Sequence, residues 1–317
     1  MKSKKKDGVI FGLLASAVLA ASGCSSSGGG SGSGTGEGVV SGGSSNSGTV
    51  PFTSFSELNP NTEYELDGIT TGLSYEYDVE GLRVTSLGSS TIDEESYIVI
   101  GYGERFLERL ALDGSFAGFD IDSSLGGQII FDEPLILIFS GDGEVEGAFI
   151  DADYSGWDYQ SFGTWRTGVG TGSGYVGSTS AGFITPFNDI PQSGTARYAG
   201  RSLGQYVDPN GLDYISTSAV EATADFSRRF IELSSSGTVL IDPYFDEVIS
   251  SPGLDMSGTL SFDRANNIGS GQISTSSGLA GRADSRFYGP NAEEIGGIFD
   301  LKGSGLETYT GAFGASR

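Results

Sequence analysis

Stretches that alternate apolar and polar residues with a period of two recur through the second half of this chain, roughly every 10 to 14 residues. In "AVEATADF", Val220, Ala222, Ala224 and Phe226 take one side and Glu221, Thr223 and Asp225 the other. Ala283, Ser285 and Phe287 likewise share a side, as do Ile295, Gly297, Phe299 and Leu301, and then Tyr309, Gly311, Phe313 and Ala315. This period places successive side chains on opposite faces, the pattern of a half-buried antiparallel strand. Turn sequences such as "RANNIGSG", "GPNAE" and "KGSGLE" separate the stretches. Even spacing of this kind predicts an up-and-down barrel of about eight strands. Glycines beside phenylalanines on the inward side fit a barrel filled by its own side chains.

The first half, from Pro51 on, is β-rich but less even. "GQIIF" and "PLILIF" read as buried strands, the second starting at Pro134, and "GERFLERLAL" near 103–112 is the one stretch with a helical period. "GTWRTGVGTGSGYVGS" reads as a long glycine-rich loop, with the loop proper over residues 168–178. The prolines and turn residues of "ITPFNDIPQSG" mark a boundary. The expected fold is therefore all-β, with a β-rich domain over 51–190 and an eight-stranded antiparallel barrel over 191–317.

Four lysines in "MKSKKK" precede the apolar run "GVIFGLLASAVLAASGC". A basic start, an apolar stretch shorter than the ~20 residues of a comfortable membrane span, and small residues at its end predict a secretory signal over 1–23. Cys24 is the only cysteine. Its setting resembles a bacterial lipobox, although Ala21 stands where that motif prefers Leu. The reading is a lipoprotein with Cys24 as the lipid anchor, and no intrachain disulfide is available to it. Residues 24–50 are almost pure Gly and Ser, a flexible tether with a reach on the order of 30 Å. Ser25 and Ser26 fit outer-membrane sorting.

The chain carries a formal charge of −24, and loss of residues 1–23, with four lysines and one aspartate, leaves about −27. Such a surface repels nucleic-acid backbones and anionic headgroups, so the acyl chains must hold it at a membrane. There is no histidine. Ser-His-Asp and Cys-His catalysis and His-ligated zinc or haem are thereby excluded.

No catalytic constellation emerges from the remaining motifs. Glu293 and Glu294 are adjacent, so in a strand they point to opposite faces and cannot work as a pair. The stretch reads as a hairpin turned at Pro290-Asn291, with both glutamates exposed and dispensable. "DADYSGWD" (151–158) partly imitates a calcium loop through Asp151, Asp153, Ser155 and Gly156, but Phe162 stands where the bidentate Glu is needed. It reads as an acidic turn, and no metal or cofactor is expected. "GVGTGSG" lacks dinucleotide-site spacing. Among 14 tyrosines, Tyr175 on the glycine-rich stretch is the candidate ligand-binding residue, since tyrosinate can ligate haem iron.

"TSAGFITPFNDIPQSGTARYAG", with Thr185, Pro186, Pro191, Ser193, Ala196, Tyr198 and Gly200, resembles the transferrin-binding protein B family. "FYGPNAEEIGGIFDL", the terminal "YTGAFGASR" and "SFGTWRTG" with Phe162, Gly163 and Trp165 add to that resemblance. It implies a β-rich handle domain before the barrel on an outer-membrane, cell-surface lipoprotein. The family has two such lobes where this chain has room for one, and the loops that touch transferrin do not carry over. What carries over is a binding module, not an enzyme, for an extracellular protein or a haem-type ligand in iron or haem acquisition. An uptake receptor in the outer membrane and a surface translocator are implied as partners. A lipocalin-like carrier, with a small apolar ligand inside the barrel, and a structural or adhesive surface protein are the alternative readings.

If Cys24 alone carries the anchor, Cys24→Ser abolishes lipid labelling and leaves the protein released or unprocessed. Metabolic labelling with a radioactive fatty acid and membrane fractionation check this; membrane retention of a correctly cleaved variant contradicts it.

Overall fold

The computed structural model describes residues 54–103, 107–242, 247–263 and 265–317, together with the backbone of residues 40–41. The signal segment, Cys24 and the rest of the tether lie outside the described residues.

The strands form two sheets. The first holds β1 (Val40–Ser41), β2 (Thr62–Asp78), β3 (Arg83–Leu87), β4 (Thr91–Asp93), β5 (Tyr97–Tyr102), β6 (Leu107–Asp113), β7 (Phe119–Asp122), β8 (Gln128–Asp132), β9 (Leu135–Phe139), β10 (Val145–Ile150), β11 (Gln160–Thr167) and β12 (Ser173–Gly182). Its main path runs β7-β6-β5-β2-β12-β11-β10-β9-β8, while β1, β3 and β4 attach to β2. The long strand β2 is the spine because both its faces are apolar. Tyr64 and Leu66 look into the handle core, whereas Ile69 belongs to a different cluster on the barrel side. The sheet curls over the handle core, so that Phe119 of β7 meets Trp165 of β11 edge to face at 5.9 Å.

The second sheet holds β13 (Thr195–Val207), β14 (Asp213–Asp225), β15 (Phe230–Ile241), β16 (Val248–Ser250), β17 (Met256–Asp263), β18 (Ile268–Thr275), β19 (Ala280–Tyr288), β20 (Glu294–Lys302) and β21 (Thr308–Ser316). Eight of these strands form a meander that closes through β13–β21 and β14–β15, with the short β16 hanging on β15. The predicted inward residues point inward: Val220, Ala222, Ala224, Phe226, Phe287, Phe299, Tyr309 and Phe313 share one core. The interior taper depends on two glycines. A Cβ at Gly311 would overlap the Phe299 ring, and one at Gly297 would lie 2.7 Å from Phe313 Cζ. Each phenylalanine thus fills the space that a glycine across the ladder leaves.

Three expectations need correction. Residues 107–113 form strand β6, not a helix, because Leu107, Leu110 and Leu112 are needed in the handle core. β8 is not buried: it is the last strand of the path, and Ile130 and Phe131 face solvent. The glycine-rich loop shrinks to a turn at 168–172, since residues 173–182 pair with β2 and β11.

The connection between the sheets is fastened rather than loose. Thr185 N donates to Phe287 O at 2.9 Å, its hydroxyl donates to Gly289 O at 2.6 Å, and Asn267 Nδ2 donates to Thr185 O at 3.0 Å.

Phe299→Ala is expected to cost about 3–5 kcal/mol in urea unfolding, because it empties a site that no neighbour can fill. Gly311→Ala alone should cost roughly 1–3 kcal/mol through overpacking, and much less in the Phe299→Ala background. Additive costs in that double-mutant cycle would refute the ring-over-glycine packing.

Candidate functional site

One face of β11 builds the joint between the two sheets. Gln160, Phe162, Thr164 and Arg166 alternate along the strand toward the barrel, while Trp165 points into the handle core and donates from Nε1 to Thr179 Oγ1 at 3.0 Å. Gln160 Nε2 donates to Ile295 O at 2.8 Å. Phe162 lies on Gly314, where an added Cβ would come within 2.6 Å of its ring. Thr164 Oγ1 accepts from Gln205 Nε2 at 3.1 Å. Arg166 forks between Glu146 of β10 and Asp213 of β14, the latter at 3.0 Å. Around this row Ile69, Leu137 and Ile150 of the handle pack on Leu203, Ile215, Ile298 and Ala312 of the barrel.

Beside the start of β11 stands Glu294 of β20, which is expected from the sequence on an exposed turn. The structure buries it. Its Oε1 accepts from Asp158 N at 2.7 Å, and Oε2 accepts from Tyr159 N at 3.2 Å. Burial outweighs these bonds and, with the Asp158 charge nearby, pushes the carboxyl up to about 7. Glu293, by contrast, braces its own turn, accepting from Asn291 N at 2.7 Å. The hairpin reading of the stretch therefore stands, but one of its glutamates is an interdomain clamp. The sign missed was the strand register, which places Glu294 opposite Tyr288 inside the ladder rather than in the turn.

At the other end of β11 several hairpin tips gather. Gly168, Gly170 and Gly172 all have positive φ in the β11–β12 turn, and Gly172 O accepts from Tyr77 N at 2.7 Å beside the β2–β3 turn. The barrel turn at 208–212 joins them, with Val84 N donating to Gly211 O at 2.7 Å. Val79, Leu82 and Leu212 are exposed there. Beside them lies a small cleft lined by Leu73, Tyr75, Val84, Val176 and Val207 together with Arg166 and Asp213. Burial raises the Asp213 carboxyl even though the Arg166 charge opposes it. The arrangement sets exposed apolar tips beside a cleft whose charges, Arg166 and Asp213, are buried and paired with each other.

The acidic turn at 151–158 and the glycine turn at 168–172 cannot form one rim. They sit at opposite ends of the eight-residue β11, on the order of 25 Å apart. Asp151 caps a helical turn at Ala152–Ser155 by accepting from Tyr154 N at 3.3 Å, and among the described residues no three carboxylate, His or Cys side chains group to hold a metal ion. Tyr175 lies within β12, 38% exposed, its ring 6.2 Å from that of Phe116.

Residues 190–317, the closed barrel, match the family described as the C-lobe and N-lobe beta barrels of Tf-binding protein B. That match spans the barrel and takes in none of the first sheet. The chain is also similar to crystal structures of transferrin-binding protein B at low identity. With a mutant from Haemophilus parasuis Hp5 it shares 12% identity over 82% of this chain and 76% of that one, with a TM-score of 0.45. With the isotype 1 protein of serogroup B Neisseria meningitidis the values are 18%, 72%, 53% and 0.43. A mutant from Actinobacillus pleuropneumoniae H49 gives 14%, 79%, 99% and 0.37. No curated protein sequence matches the chain.

An unfolded glutamate releases its proton near 4.5, whereas Glu294 keeps its proton to about 7. The folded state therefore binds the extra proton between these values, and stability falls as pH rises from about 4.5 to about 7. Glu294→Gln should flatten that slope, which amounts to at most about 3 kcal/mol. Glu294→Ala should cost roughly 1–3 kcal/mol at neutral pH by stranding two backbone donors, and Glu293→Ala about 0.5 kcal/mol or less. Urea unfolding across pH checks all three; an unchanged slope in Glu294→Gln contradicts the assignment.

Proposed function

We propose that this chain is a lipid-tethered binding module of the outer membrane, displayed at the cell surface, that captures an extracellular protein or haem-type ligand for iron or haem acquisition. The transferrin-binding protein B barrel supports this reading, and so does the placement of adaptable surface. The barrel interior is packed with aromatic rings, with Phe262 and Phe287 only 5.2 Å apart. It leaves little room for an apolar cargo, which weighs against a carrier. The observation that carries the proposal is the cluster of hairpin tips at 79–82, 168–172 and 208–212, exposed on a rigid joint. Rigid scaffolds present binding residues on such loops. The chain has no histidine to serve as a general base there, and capture rather than conversion is the expected activity. Handover to an uptake receptor in the same membrane and delivery by a translocator remain part of the proposal.

The test is capture from host serum and from a haem solution by the full chain. Val79→Asp, or removal of Gly170 and Thr171 from the turn, should weaken capture while the melting temperature stays nearly unchanged, since loop length costs little in closure entropy. Tyr175→Phe should shift the visible spectrum of bound haem if haem is the ligand. Capture that survives both tip changes would move the site elsewhere.

A further inference from the structure

The spine strand β2 is flanked unevenly. On one side β5 runs along Thr62–Asp67. On the other, β12 ends at Gly182 opposite Asp67 and pairs with nothing earlier in β2. A strand flank left in this way invites another strand. β1 takes the place: Val40 is registered with Tyr64 and Ser41 with Glu65, in parallel. Because Tyr64 and Glu65 also pair with Ile100 and Val99 of β5, β1 must occupy the side that β12 leaves. The sequence explains why this part of the tether pairs. Over 25–49 its only apolar residues are Val39 and Val40, and β-branched residues favour strands where glycine does not. A parallel partner also needs a return connection of a dozen or more residues, and 42–61 supplies 20.

We propose that Val40–Ser41 is a clip by which the chain's own tether closes on β2, giving the anchored protein a short leash that lengthens when the clip opens. The leash rests on the reading of Cys24 as the lipid anchor; the clip does not. With the clip closed, residues 25–39 alone separate Cys24 from the folded body, a Gly/Ser reach on the order of 20 Å. With it open, residues 25–53 do so, and the reach grows to on the order of 30 Å. Two paired residues make a weak contact beside the ten-residue ladder of β2 with β12, so the clip is the part of the sheet that opens first. It also lies at the end of β2 away from the hairpin tips. The β12 ladder runs from Gly182 opposite Asp67 to Ser173 opposite Glu76, and Phe55 N donates to Asp158 O at 2.8 Å beside the clipped end. The closed leash therefore draws the Asp158 end of the joint toward the membrane and leaves the tips outermost.

The clip is tested in the full chain from residue 24 onward with Cys24→Ser, which removes the only native cysteine. Adjacent strands lie about 4.8 Å apart, inside the Cα spacing that a disulfide accepts. Ser41→Cys with Glu65→Cys should therefore oxidise to an intrachain disulfide at least about tenfold faster than Ser33→Cys with Glu65→Cys. Adding Val39→Gly and Val40→Gly should remove that advantage. Equal rates in the two cysteine pairs would overturn the clip. So would disulfides between chains, which would give the place on β2 to a second copy. The leash is tested with the lipidated protein on phosphatidylcholine vesicles, with a donor dye on Tyr154→Cys and an acceptor dye in the lipid. Tyr154 is exposed, in the helical turn that precedes Asp158. Energy transfer should fall when both valines become glycine, and unchanged transfer would overturn the leash. A chain that stays off the vesicles would remove the anchor reading alone, since the disulfide rates decide the clip without a membrane.

Discussion

The alternating face of β11 is the constraint on which the rest of the molecule depends. A strand has two faces, and here each is claimed by a different core. Trp165 completes the handle, while Gln160, Phe162, Thr164 and Arg166 are set against the barrel. A one-residue slip would exchange the two sets, putting an arginine into the handle core and a tryptophan on the joint. Register is thus fixed from both sides at once. The barrel answers with small residues, because Gly296 and Gly314 are where Gln160 and Phe162 approach its wall.

The joint is polar at both ends and apolar in the middle. Ile298 and Ala312 cover the centre, with Glu294 at one end and the Arg166–Glu146–Asp213 network at the other. Buried charges that lose one partner are costly, so such ends favour one relative placement of the two domains more than they add net stability. On another flank Arg282 reaches Glu94 at 3.5 Å and Asp284 at 2.7 Å, and Arg286 reaches the Glu94 carbonyl. In this acidic chain Arg166, Arg282 and Arg286 hold the domains together, while Arg83, Arg109 and Arg228 pair within a domain. The outer surface is left negative, with Val79, Leu82 and Leu212 of the hairpin tips and Ile130 and Phe131 of β8 among its apolar exceptions.

Much of the barrel was legible because its inner face obeys one rule. Val220 to Phe226 and Tyr309 to Ala315 alternate cleanly, since a barrel wall has one dry side. The handle was less legible for the opposite reason: β2 and β11 are dry on both sides, so their alternation is not one of polarity. The segment 107–113 imitated a helix because Leu107, Leu110 and Leu112 satisfy either period over so short a span. β8 looked buried because apolar composition alone cannot tell a central strand from an edge. Glu294 was invisible as a clamp, since its partners are backbone amides of Asp158 and Tyr159, far away in sequence and carrying no side-chain signature. Tyr175 was singled out by its glycine-rich setting, most of which became strand β12.

Handle and barrel form one cooperative unit, joined through β11. Native-state hydrogen exchange of the Asp158 and Tyr159 amides tests this most directly, because both donate across the joint to Glu294. If the account holds, they exchange only by global opening, with the same free energy as the amides of the barrel core around Phe299. Exchange of these two amides by a much cheaper opening, while the barrel amides stay protected, would mean that the handle lifts off an intact barrel, and the central claim would be wrong.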